Sequence, residues 1–327
     1  MRLRRRVKLA LVALGIQLTL PFSPRPTIWL MGRVLLLDGA GPSPELERHA
    51  PEGVTVMRDE AYGDGPRERF DLHRPADADG PLPVIVWLHG GGWVGGSKVQ
   101  SWPYFQVLAA EGYAVVAAEY ALAPDHTYPT PVRQVMRLLA RLQAEAARLG
   151  IDPDRIVLAG DSAGAQIAAQ AAALVTTPGY AELVGVEPTV ALEQLRGVVL
   201  ACGPYDLHGI PRSRRHGWTH ALFWAYSGTR RYATDEHFAT WSVADHLSER
   251  FPPALLTVGD TDPLFRHTVL LADRLRELGA EVETVLPAPG TGAGHEYQFE
   301  LDTADAQEFL RRAIGFLASV TPRAPAV

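Results

Sequence analysis

The chain of 327 residues has one cysteine, Cys202, so an internal disulfide is excluded. Cys202 ends an apolar run, 197–202, that reads as a core strand, where a buried thiol is inert. No C-x-x-C pair and no H-E-x-x-H motif occurs, so neither a metal nor a cofactor is expected. His208, His216, His220 and His237 are scattered without ligand spacing. The step from His216 to His220 would fit one helix face but has no third ligand. No Walker pattern appears, and the nucleotide reading of the glycines fails. Positive charge is in deficit, 31 Lys and Arg against 37 Asp and Glu, and the net −6 argues against a nucleic-acid partner. Repeats and low-complexity tracts are missing too.

Glycine and proline are plentiful, 30 and 26, and they punctuate alternating apolar runs and helical patterns. Strands are expected at 54–58, 69–74, 84–88, 113–119, 155–159, 197–201, 254–258 and 281–286. Helices are expected at 132–149, 163–174, 268–278 and 304–317, with Leu138, Leu142 and Leu149 on one side of the first. The alternation implies an α/β fold: a mostly parallel sheet with helices on both faces. Ligands in such sheets bind beyond the strand C-termini.

Four of those termini carry chemistry. Gly160-Asp161-Ser162-Ala163-Gly164 joins a strand to a helix in the G-x-S-x-G pattern of a nucleophile elbow. Ser162 is expected in a strained backbone conformation, with its hydroxyl above the sheet edge and free helix N–H groups beside it. The strand at 84–88 ends in His89-Gly90-Gly91-Gly92-Trp93, the H-G-G-G signature of lipase and esterase oxyanion holes. Backbone amides of residues without a Cβ can approach an oxyanion that side chains would crowd. His89 is read as bonding the loop backbone. After the strand at 254–258 come Asp260 and Asp262, one to orient a histidine and the other to serve as a turn or helix cap. His295 follows a glycine-rich loop, 290–294, in the chain order Ser, Asp, His.

Together these motifs resemble the hormone-sensitive-lipase-like branch of the α/β-hydrolases. Tyr120-Ala-Leu-Ala-Pro-Asp125 with Tyr128-Pro129, and Asp152-Pro-Asp-Arg155, are similar to that branch as well. The resemblance covers roughly residues 54–320. Ala121, Asp125, Thr130 and Ala165 depart from its usual arginine, glutamate, alanine and glycine, which alters local ion pairing and leaves the chemistry in place. Carried across, the resemblance implies Ser162 as nucleophile, Asp262 as acid, His295 as base, and N–H donors at Gly91, Gly92 and Ala163. The expected activity is hydrolysis of small to medium carboxylic esters. An amide or peptide hydrolase and a non-catalytic receptor on the same fold are the alternatives.

Two regions carry looser expectations. Residues 207–247 hold no strand pattern and are rich in aromatics, which suits a cap insertion. Trp93, Trp218, Phe223 and Trp224 could line a substrate pocket there, or simply pack the cap onto the sheet. Residues 1–52 form an N-terminal segment ahead of the hydrolase domain, 53–327. Arg2, Arg4, Arg5, Arg6 and Lys8 precede an apolar run, 9–20, and a second run, 28–37, holds Arg33. A cap helix is one reading. Membrane association through residues 1–22 is another. A cleaved secretion signal is disfavoured because no A-x-A site follows. The location expected is cytoplasmic or membrane-associated. A homodimer is compatible with everything above.

Overall fold

The computed structural model of the protein describes residues 22–35, 41–210 and 217–322, without the side chains of residues 31 and 33–35. Its eight strands are β1 (Val54–Ala61), β2 (Arg69–Pro75), β3 (Leu82–Leu88), β4 (Ala114–Ala118), β5 (Ile151–Asp161), β6 (Leu195–Ala201), β7 (Ala254–Thr257) and β8 (Val282–Val285). They form one sheet in the order β1-β2-β4-β3-β5-β6-β7-β8. Only β2 runs against the rest, since it pairs antiparallel with both β1 and β4 while every other pairing is parallel. This is the expected mostly parallel sheet.

Why the central strands read as continuous apolar runs follows from burial on both faces. Along β3 the side chains alternate between two cores. Val84, Val86 and Leu88 pack with Leu138, Leu142 and Ile167 from the helices Thr130–Ala144 and Ala163–Thr176. Ile85 and Trp87 point the other way, toward Tyr104, Phe105 and Phe309 from the helices Trp102–Ala110 and Ala304–Val320. The edge strand β1 instead has only half-buried and exposed positions.

Element boundaries moved where backbone chemistry intervenes. The helix expected at 132–149 is two, Thr130–Ala144 and Ala146–Leu149, broken at Glu145 and closed by left-handed Gly150. Strand β5 begins earlier than expected, and its register with β3 shifts just after Asp152, beside Pro153. A proline has no N–H for the ladder, so an irregularity there is natural.

The helix Ala163–Thr176 carries two buried glutamines that anchor it. The Gln170 amide reaches the hydroxyls of Tyr128 and Tyr180 at 2.7 and 2.8 Å. Gln166 donates to the carbonyl of Trp241 at 3.1 Å. Each buried amide is therefore a tie between the helix and the loops above the sheet.

The N-terminal helix Arg25–Leu35 packs against the helix Gly217–Ser227, buries Ile28, and pairs Arg25 with Asp125 at 2.7 Å. No helix among the described residues is long and apolar enough to cross a membrane. The apolar run at 9–20, its basic flank and His216 lie outside the described residues.

Gly164 is where the helix touches the sheet. A Cβ there would overlap the Leu88 carbonyl oxygen and lie 2.6 Å from that of His89. Gly315, in the helix Ala304–Val320, faces open space. Gly164→Ala is expected to lower stability by about 1–3 kcal/mol, as overpacking does. Gly315→Ala is expected to raise it by about 0.5–1 kcal/mol through helix propensity. Denaturant midpoints at unchanged slope measure both. Equal midpoints would contradict the close approach.

Candidate active site

Ser162 sits between β5 and the helix Ala163–Thr176 at φ 49° and ψ −118°. A non-glycine residue held there costs about 1–3 kcal/mol and persists only where its surroundings dictate it. Gly160 supplies part of that surrounding: a Cβ on it would lie 2.7 Å from the carbonyl oxygens of both Leu88 and Gly164. The elbow pattern is thus a steric requirement. Its two glycines let helix, strand and β3 meet, and the serine is left at the crest.

The imidazole of His295 bridges two elements. Its Nε2 is 2.9 Å from the Ser162 hydroxyl, and its Nδ1 is 2.7 Å from Asp262 Oδ2. With the proton on Nδ1, the ring donates to Asp262 and accepts from Ser162. The Asp262 carboxylate is wholly buried, and its other oxygen accepts the Leu264 amide at 2.7 Å. That one residue both starts the turn into the helix Phe265–Glu277 and holds the histidine. Gly259 permits the approach, since a Cβ there would overlap the carbonyls of Ala293 and Gly294 in the histidine loop.

Asp260 faces elsewhere. It accepts the amides of Gly290 and Gly292 at 2.8 and 3.4 Å, in solvent. Desolvation opposes its ionisation, but these amides and the Thr291 hydroxyl together outweigh it and hold its carboxyl below the usual range. Of the two aspartates, the structure brings only Asp262 to the imidazole.

Burial opposes protonation of His295, but the Asp262 hydrogen bond, the Cys202 thiol and the Glu296 carboxyl outweigh it and hold the imidazole well above its ordinary value. Cys202 is buried at φ 46°, and burial pushes its thiol up to about 11. Cys202, Asp262 and His295 lie close enough to hold a metal ion, but the His295 imidazole is already engaged by Asp262 Oδ2 at 2.7 Å and the Ser162 hydroxyl at 2.9 Å. Asp206, His208 and Asp245 form an exposed group of the same kind, with Asp245 already paired to Arg274 at 2.8 Å.

The glycine loop lies beside Ser162. Gly91 and Gly92 stand at φ 111° and 61°, a region glycine enters without strain. Among the described residues their amides donate to no other group. Ala163 opens its helix, where first-turn N–H groups lack intrahelical acceptors. His89 bonds the Gly90 carbonyl at 2.7 Å and stacks on Tyr120, whose hydroxyl donates to the His89 carbonyl at 2.7 Å. It therefore braces the loop, as expected. Glu119 completes the brace by accepting the Lys98 amide at 3.0 Å and pairing with Arg67 at 2.8 Å. Burial would raise this carboxyl, but His89 and Arg67 bring it down to about 2.

The residues expected to line a pocket are divided. Trp93 stacks on Tyr226 with centroids 4.7 Å apart and meets Phe223 and Trp241 edge-on. Both Trp93 and Phe223 are fully enclosed in this cluster. Trp218 is half exposed, and Trp224 is partly buried beneath the Arg230 guanidinium. A cavity of about 920 Å³ opens behind the glycine loop, lined by Arg67, Glu68, Ala121 and Arg137 and by none of these four aromatics. Sequence reasoning also passed over Asp161 and Glu296, which meet beside Ser162. Their adjacency to the elbow serine and to His295 was the available signal.

A family model described as the alpha/beta hydrolase fold matches residues 85–298. Similar curated proteins include the esterase LipC of Mycobacterium tuberculosis, 28% identical over 240 residues, covering 72% of this chain and 59% of that one. Isoprenylcysteine alpha-carbonyl methylesterase ICME of Arabidopsis thaliana is 28% identical over 242 residues, covering 71% and 55%. The chain spans a little over half the length of these relatives. Among solved structures, an inhibited esterase B from Lactobacillus rhamnosis superposes with a TM-score of 0.73 at 22% identity, over 84% of this chain and 91% of that one, a likeness of fold.

The raised imidazole gives a measurable sign. His295 holds its proton to higher pH than the ordinary value of about 6.5. Neutral imidazole therefore accumulates only as pH rises above that value. Asp262→Asn removes the anion, so ring resonances in an NMR titration are expected to move at lower pH. Asp260→Asn is expected to leave them in place. A larger shift from Asp260→Asn would contradict the arrangement.

Proposed function

Because this chain belongs to the alpha/beta hydrolase fold family, we propose that it is a serine carboxylic-ester hydrolase acting on small to medium acyl esters. The observation that carries the proposal is the hydroxyl–imidazole–carboxylate line of Ser162, His295 and Asp262; in this reading the amides of Gly91, Gly92 and Ala163 form the oxyanion hole. His295 takes the Ser162 proton at Nε2 as the oxygen attacks the acyl carbon. Asp262 keeps the ring oriented and stabilises the imidazolium. The developing oxyanion accepts from the three amides. His295 then protonates the leaving alcohol, and water activated by the same nitrogen releases the acid.

Ester rather than amide chemistry draws support from the esterase names of the similar proteins. Limited acyl length draws support from packing. The helix Gly217–Ser227 places Leu222 within 3.3 Å of where a Gly92 Cβ would lie, and the aromatics beneath it fill one another's space. In this reading the described parts of the N-terminal segment and of the insertion at 207–247 supply a cap over the hydrolase domain. The contact of the helix Arg25–Leu35 with the helix Gly217–Ser227 supports that division.

A p-nitrophenyl ester series of graded chain length tests the proposal. Activity is expected to peak at short to medium chains. Ser162→Ala is expected to lower kcat by roughly 10³-fold or more while the circular dichroism spectrum and thermal midpoint stay near wild type. Undiminished hydrolysis by the alanine variant would contradict the assignment. Absence of ester hydrolysis together with amide cleavage would favour the amide hydrolase, and binding without turnover would favour a receptor.

A further inference from the structure

Asp161, the second residue of the elbow motif, is buried, and both its carboxylate oxygens are engaged. Oδ1 accepts the Trp87 indole N–H at 2.7 Å and Oδ2 accepts the Gly90 amide at 2.7 Å. A second carboxyl, that of Glu296, stands in hydrogen-bond contact with it. The two acids meet over Gly90. A Cβ on that glycine would overlap Asp161 Oδ2 and lie 2.6 Å from Glu296 Oε1 and 3.2 Å from Ser162 Cβ. Glu296 reaches inward from φ 62°, an unusual conformation for a residue with a long side chain. Its Oε1 is 3.8 Å from His295 Nε2.

Two carboxyl groups in hydrogen-bond contact do not both ionise readily, so they keep one proton between them. The charged and titratable groups around the pair are His89 on the glycine loop, Tyr120 after β4, Cys202 after β6, Asp262 after β7 and His295. We propose that Glu296 is a positioning residue: its carboxyl holds the proton shared with Asp161, and this clasp fastens the histidine loop to both the elbow and the glycine loop. The proposal rests on the hydrolase reading, because it assigns the clasp to placing His295 against Ser162.

The chemistry of opening is simple. Loss of the shared proton to solvent leaves two carboxylates in contact, and their repulsion separates the loops. It also leaves a negative charge close to Nε2, which holds the imidazole in its protonated form and withdraws it as a base. Burial, followed by the Asp161 charge, pushes Glu296 up to about 8. A carboxyl raised in the folded state contributes below its unfolded value, and that contribution is lost as pH rises through the folded value.

Glu296→Gln keeps a donor toward Asp161 and cannot ionise. Glu296→Ala has no donor. Wild-type kcat on p-nitrophenyl butyrate is expected to fall as pH rises through about 8. The glutamine variant is expected to lack that fall while keeping neutral-pH kcat within about 3-fold of wild type. The alanine variant is expected to lose roughly 10-fold or more in kcat at every pH with KM little changed, the scale of a misplaced catalytic group. The same alkaline fall in the glutamine variant, or wild-type kcat in the alanine variant, overturns the clasp. Failure of the hydrolase reading shows separately, as wild-type protein that neither turns over the ester nor reacts with a fluorophosphonate. The clasp is then judged by the His295 ring resonances alone. A second alkaline step in wild type that is absent from Glu296→Gln supports it, and the same step in both overturns it.

Discussion

The close approach of the helix Ala163–Thr176 to strand β3 is the constraint from which the site follows. Gly160 and Gly164 remove the side chains that would hold helix and strand apart, and the Leu88 and His89 carbonyls occupy the space. Ser162 has no other place to go than the crest of the turn, in a conformation its residue type disfavours. Strand β3 then delivers the glycine loop beside it, because both leave the same edge of the sheet. The remaining partners come from β7 and β8, further along that edge.

Carboxylates do most of the fastening. Each loop at the site is held by one that accepts backbone amides: Asp161 the Gly90 amide, Glu119 the Lys98 amide, Asp262 the Leu264 amide and Asp260 those of Gly290 and Gly292. Charge-assisted bonds of this kind are stronger than neutral ones, and fewer of them suffice to fix an irregular segment. The arrangement concentrates negative charge around one imidazole. That concentration raises His295, and the proton shared by Asp161 and Glu296 limits it.

The fold was legible in the sequence wherever burial wrote a pattern. The central strands β3 to β7 announced themselves as apolar runs, and the helix Ala163–Thr176 as alanine-rich sequence behind a glycine motif. Boundaries were less legible, because Glu145 and Pro153 interrupt regular structure through local backbone chemistry. The line Ser162–His295–Asp262 was readable as chain order, but Asp260 and Asp262 sit two apart in the same turn. Only the direction of each side chain separates them. Glu296 was invisible as anything but a neighbour of the histidine, since its partner Asp161 is remote in sequence. The aromatic residues 93, 218, 223 and 224 share a composition that suits a pocket or a core equally well. Packing enclosed two of them and left Trp218 outside.

The central claim is that Ser162 attacks a carbonyl whose oxygen is received by the glycine loop and the head of its own helix. A crystal structure of the protein inactivated with a short alkyl phosphonate ester tests it most directly. The account predicts phosphorus bonded to Ser162 Oγ, with the phosphonyl oxygen about 2.7–3.1 Å from the amide nitrogens of Gly91, Gly92 and Ala163. An adduct on another residue, or an oxygen turned away from those amides, would contradict it.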